Sequence, residues 1–193
     1  MDNSQSAESV RARLQTLLQR FSRVRQRTLQ LCEPLHVEDY GVQPMADASP
    51  PKWHLAHTSW FFDTFFLAIW QAEYEAFHPA YAELFNSYYN GVGNPFPRSR
   101  RGSLSRPTLD EVLAYRRHVD AATLEVVDAT LGSACSTDAV KMAEVLELGI
   151  EHEQQHQELL LTDLKYNFGH NPLYPAYAGQ SSASVGVSTQ MHF

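Results

Sequence analysis

Apolar residues recur at helical spacing over four stretches of the chain, and no stretch alternates convincingly as a strand. The first stretch runs from about Ser9 to Leu31, with Val10, Leu14, Leu17, Leu18, Phe21, Val24, Leu29 and Leu31 near one face. The second begins after Ser49-Pro50-Pro51 and is predicted to reach about Phe77, with Pro79 just beyond its end. The third opens at Arg106-Pro107-Thr108, where Thr108 and Glu111 form a capping box, and Gly132 stops it. The fourth starts near Thr137-Asp138 and closes at Gly169, with Pro172 following. This pattern predicts an all-α fold, a four-helix bundle whose core is a common place for a metal site. The second and third helices are joined by a long irregular loop, Phe85 to Pro107, of a length that is either functional or disordered. It carries Tyr88, Tyr89, Arg98, Arg100, Arg101 and Arg106. Residues 1–177 read as one domain, and 178–193, rich in Ser, Gly and Ala, as a flexible tail or linker.

Composition narrows the classes of function. With 193 residues, 44% of them hydrophobic, the chain suits one domain with a full core. A net charge of -7 excludes a nucleic-acid footprint spread over the whole surface. Six arginines between Arg11 and Arg27 read as the solvated face of the first helix. Cys32 and Cys135 are far apart and in no C-x-x-C, which argues against a disulfide scaffold and fits a reducing cytoplasm. Met1 to Ser9 is polar, with no apolar signal-peptide core, and the most apolar run, Trp60 to Trp70, is broken by Asp63 and too short to span a bilayer. The chain is therefore expected in the cytoplasm, without membrane or nucleic-acid partners.

The candidate chemistry lies in Glu151-His152-Glu153-Gln154-Gln155-His156. On a helix with His152 as origin, His156 falls about 40° away and Gln155 about 60° to the other side. Leu148 and Leu159 share this face, so the three polar side chains are expected to point into one pocket inside the bundle. Two neutral imidazoles one turn apart can share a metal ion, and Trp53-His54-Leu55-Ala56-His57 supplies a third, with His57 or His54 as the candidate. Asp163 returns to the ligand face as a possible outer acceptor or a polar bundle end.

His152-Glu153-Gln154-Gln155-His156 also reads as the H-E-x-x-H of zinc proteases. The downstream positions that would complete such a site are Leu159 and Thr162, and no Glu follows Glu158. A di-iron carboxylate site needs two E-x-x-H motifs deep in helices; those at Glu33–His36 and Glu75–His78 sit at helix ends beside prolines. Three imidazoles without a carboxylate suit iron, zinc, copper and nickel alike.

Pro51 to Phe62, Leu84-Phe85-Asn86-Ser87-Tyr88-Tyr89, Arg98 to Pro107 and His152 to Glu158 together resemble the N-terminal DinB-like domain of the ergothioneine-biosynthesis sulfoxide synthases, from about Thr28 to Tyr177. The resemblance implies a non-haem Fe(II) enzyme with His57, His152 and His156 as metal ligands. It implies O2-dependent joining of gamma-glutamylcysteine or cysteine to N-alpha-trimethylhistidine (hercynine), with oxidation of the sulfur to a sulfoxide. Arg98 and Arg101 would bind the thiol substrate's carboxylates, and Gln155 the trimethylhistidine imidazole. In that family a C-terminal domain of the formylglycine-generating-enzyme type supplies the catalytic tyrosine, so no catalytic residue is expected within this chain and that domain is an expected partner, in cis or in trans. The alternative is a stand-alone DinB-like bundle holding zinc or nickel and acting as a thiol transferase or hydrolase.

Overall fold

A computed structural model describes residues 2–87, 91, 93–132 and 137–178. Tyr88, Tyr89, Cys135 and all of the 178–193 tail except Ala178 lie outside the described residues. The fold is all-α, with no strand among the described residues. The frame consists of α1 (Asp2–Cys32), α2 (Pro51–Phe62), α5 (Leu109–Gly132) and α6 (Thr137–His170). Two short helices lie between α2 and α5: α3 (Ala68–Trp70) and α4 (Tyr81–Leu84). Single 3-10 turns occupy Val37–Gly41 and Arg98–Ser103. α1 packs on α6 and α5, and α2 packs on the same two helices, which makes a four-helix bundle.

Every residue of α2 except Lys52 is buried, so this helix has no solvent face and no amphipathic stripe. It does not continue regularly to Phe77. A π-helical turn, Asp63–Leu67, interrupts it, and helix ends at Trp70. Gln71 is extended (φ −92°, ψ 118°) and Glu73 takes a positive φ of 53°, a backbone conformation that closes a turn. The π turn holds the buried Asp63 carboxylate where it accepts hydroxyl protons from Tyr115 (2.6 Å) and Tyr74. At the start of α5, Thr108 and Glu111 form the capping box: Thr108 N–H donates to Glu111 Oε2 (2.6 Å) and Glu111 N–H to Thr108 Oγ1 (3.2 Å).

Leu14, Leu17, Phe21, Val24 and Leu31 form the buried stripe of α1, whereas Leu29 faces solvent. Arg25 does not belong to a solvated face. It is 3% exposed, because acids from two other helices pair with it: Glu153 (2.9 Å) and Asp120 (2.5 Å). Glu153 is wholly buried, and it also accepts from Thr28 Oγ1 (2.5 Å) and from Arg116. Arg25 donates further to Ser59 and Arg116 to Thr58, both on α2. All four long helices thus meet in one buried polar network. Burial alone would raise the Glu153 carboxyl, but Arg116, Arg25 and the Thr28 hydroxyl outweigh it and hold it at about 2. Beside the network, Gly149 lets α6 approach α2 closely. A Cβ there would lie 2.7 Å from Phe62 Cζ and 3.0 Å from Phe61 Cδ1.

Candidate metal centre

Trp53, His57 and Trp60 are spaced i, i+4, i+7 on α2 and fall in one column. The His57 ring is sandwiched between the two indoles, with centroids 4.4 and 5.3 Å away and interplanar angles of 15° and 14°. His57 is 1% exposed, and its Nδ1 lies 2.6 Å from the carbonyl oxygen of Phe85. A carbonyl only accepts, so Nδ1 carries the proton and the Nε2 lone pair remains free. On α6, the His152 ring stacks on Phe61 at 4.8 Å. His156 lies one turn on, with ring centroids 4.6 Å from His152 and 4.7 Å from His57.

One ligand nitrogen from each of His57, His152 and His156 lies within 4.8 Å of the others, a set able to hold one metal ion. The donor chemistry fits. Burial, then the like charge of His152, holds His57 well below the usual imidazole range; burial brings His152 down to about 4; burial with His57 and His54 lowers His156. All three are therefore neutral at pH 7, the form that binds metal. His152 Nδ1 is also buried with no hydrogen-bond partner, a cost that a cation bound at that nitrogen would remove.

His54 is turned elsewhere. Its Nδ1 lies 3.0 Å from His156 Nδ1 and its Nε2 3.0 Å from Asp163 Oδ2, an oxygen that also accepts the Ser49 backbone N–H (2.8 Å). Glu153 is not placed as a protease base, since both its oxygens are held by Arg25, Thr28 and Arg116. His36 and His78, of the other E-x-x-H motifs, are exposed.

The loop arginines separate. Arg101 is 2% exposed. Its guanidinium carbon lies over Trp53, 3.3 Å from the ring centroid, and the group donates to Ser49 Oγ (2.9 Å) and Ser87 Oγ (3.1 Å). Trp53 in turn covers His57, so Arg101 stands two stacked layers from the histidine cluster. Arg98 is exposed, with Nη1 3.5 Å from Asp47 O. Gln155 is exposed rather than directed into an enclosed pocket, and Leu148 (58%) and Leu159 (38%) on the same face are exposed too. The centre therefore sits at an open edge of the bundle.

Sequence reasoning did not reach the Phe85 carbonyl, which carries no residue-type signal, or Ser49 and Ser87, which hold Arg101. The Trp53–His57–Trp60 spacing was the one available sign of the sandwich. No helix is long and apolar enough to cross a membrane among the described residues. No curated protein matches the sequence. Residues 20–160, well over half of the chain and including every histidine of the cluster, match the family model of the DinB superfamily. The chain belongs to the DinB superfamily.

Proposed function

We propose that this chain is the iron-binding part of a sulfoxide synthase that joins gamma-glutamylcysteine or cysteine to N-alpha-trimethylhistidine. The observation that carries this reading is the all-imidazole cluster of His57, His152 and His156, with a buried arginine stacked over it through Trp53. His57, His152 and His156 would hold Fe(II), which would supply redox capacity toward O2 beside the bound thiol and imidazole. The reaction balances with O2 as sole oxidant: the thiol loses its S–H and the imidazole one C–H, a C–S bond and an S=O bond form, and the second oxygen atom leaves as water.

The protein's own groups would bind and orient. Arg101 and Arg98 suit carboxylates of the thiol substrate, since guanidinium forks match carboxylate geometry. Gln155, beside the cluster and exposed, would hydrogen-bond the imidazole of trimethylhistidine. Leu148 and Leu159 would be covered by a C-terminal domain, in cis or in trans, that contributes the catalytic tyrosine.

A second reading keeps the same three ligands with zinc or nickel, in a stand-alone thiol transferase or hydrolase. The all-imidazole cluster supports it as well, because imidazole suits these metals and iron alike. The deciding experiment is an anaerobic Fe(II) titration with gamma-glutamylcysteine and trimethylhistidine, followed by an O2 pulse and mass spectrometry. Sulfoxide product, alone or with the second domain added, supports the first reading. Tight zinc or nickel binding without Fe(II) binding supports the second.

A further inference from the structure

We infer that His54 is a positioning residue: with Asp163 it forms a hydrogen-bond chain that fixes the tautomer of His156 and presents the Nε2 of that ring to the metal. The inference rests on the reading of His57, His152 and His156 as the ligands, and it takes His54 out of competition for that role.

The assignment follows from donors and acceptors. Asp163 Oδ2, as a carboxylate, only accepts, so the His54 Nε2 at 3.0 Å carries a proton. With its one proton on Nε2, the neutral imidazole of His54 bears a lone pair on Nδ1. That lone pair faces His156 Nδ1 at 3.0 Å, and two facing nitrogens need one proton between them. It therefore sits on His156 Nδ1, leaving the lone pair of His156 on Nε2. His57 reaches the same tautomer by a different route, through the Phe85 carbonyl. The chain is anchored at its far end, where the Ser49 N–H bonds the same Asp163 oxygen. His54 is 2% exposed, so water does not substitute readily for it. Groups that hydrogen-bond the distal nitrogen of a ligating imidazole fix its orientation and raise its basicity, and their loss typically weakens metal binding by roughly 10- to 100-fold.

The test is Co(II) and anaerobic Fe(II) affinity of the full chain, by chelator competition, in wild type, His54→Phe, His54→Asn and Asp163→Asn. His54→Phe keeps bulk but offers no acceptor, and a roughly 10- to 100-fold loss is expected. His54→Asn puts an amide oxygen near the place of Nδ1 and should recover most of that loss, which a purely space-filling role would not predict. In wild-type protein loaded with Zn(II) and carrying 15N-histidine, a scalar coupling across the hydrogen bond between two Nδ1 atoms is expected. That measurement decides the matter even if His54→Phe fails to fold; absence of the coupling overturns the inference. Wild-type affinity in His54→Phe also overturns it, as does complete loss of metal in His54→Phe with normal binding in His57→Ala, since His54 would then be a ligand. No stoichiometric metal in the wild type overturns the three-histidine reading itself, and this inference with it.

Discussion

His57 donates its Nδ1–H to the carbonyl oxygen of Phe85 across 2.6 Å, and so ties a buried imidazole of α2 to the residue at which the long loop begins. With Trp53 and Trp60 on its two faces, the ring has one orientation and one tautomer. Metal held here meets a ligand that is already in place, which lowers the ordering cost of binding.

Removing any of the three imidazoles should therefore abolish one-equivalent Fe(II) binding. His57→Ala, His152→Ala and His156→Ala are each expected to remain helical by circular dichroism and to lose the metal in a colorimetric iron assay. Full occupancy in any one of them would remove that residue from the ligand set.

Glu153→Gln should lower stability by about 3–5 kcal/mol, because it leaves Arg25 and Arg116 buried without their shared counter-charge. Urea unfolding of the metal-free chain measures this. A loss under 1 kcal/mol would mean that the two arginines find other partners at no cost.

The same carboxylate sets a pH dependence. Its folded value is about 2 against an ordinary 4.5, so its contribution is full above about pH 4.5 and is lost as the pH falls from there toward 2. At about 1.4 kcal/mol per pH unit, the window amounts to roughly 3 kcal/mol. The stability gap between wild type and Glu153→Gln should accordingly narrow from pH 5 to pH 2, about three units of acidification. A gap that stays constant across this range would show that Glu153 does not titrate there.

Gly149→Ala should destabilise the fold, although alanine is the better helix former by about 1 kcal/mol. The added methyl meets the rings of Phe62 and Phe61, and overpacking of this kind costs about 1–3 kcal/mol. Since Phe61 stacks on His152, weaker metal binding is expected alongside a lower Tm. A raised Tm would show that the two helices separate freely.

On the sulfoxide-synthase reading, Arg98→Ala should weaken binding of the thiol substrate about tenfold and leave metal affinity unchanged, because Arg98 is exposed and is not a member of the histidine cluster. Arg101→Ala should do both and also lower Tm, since it uncovers Trp53 and takes a donor from Ser49 and Ser87. Isothermal titration with gamma-glutamylcysteine measures the loss in each and thermal unfolding separates the two; metal loss in Arg98→Ala would count against a substrate role.

The frame of the fold was legible because it rests on period and punctuation: the stripe of α1, the Thr108–Glu111 box and the His152–His156 spacing are local patterns. What stayed hidden depends on partners distant in sequence. Arg25 reads as one more surface cation until Glu153, 128 residues away, is seen against it. Leu148 and Leu159 read as core because apolar residues at helical spacing usually are, yet no helix of the described chain covers them. Helix α2, buried on every side, has no stripe from which its π turn or its end at Trp70 could be inferred. For the candidate site, residue types and their spacing pointed to the cluster, while the division of labour between His54 and His57 depends on which neighbour each ring faces.

Glu153 stands between His152 and His156 on the same turn and a half of α6, about 100° round the helix from His152 and turned toward α1 and α5. Because Arg25 and Arg116 clamp it, α6 cannot roll about its own axis, and the azimuth of the two imidazoles is inherited from α1 and α5, which contribute no member of the cluster. Grafting the histidine pair onto another bundle would thus fail unless both arginines travelled with it. Conversely, positions 148, 155 and 159 could be rewritten to suit a different substrate while this keyway keeps the centre in register.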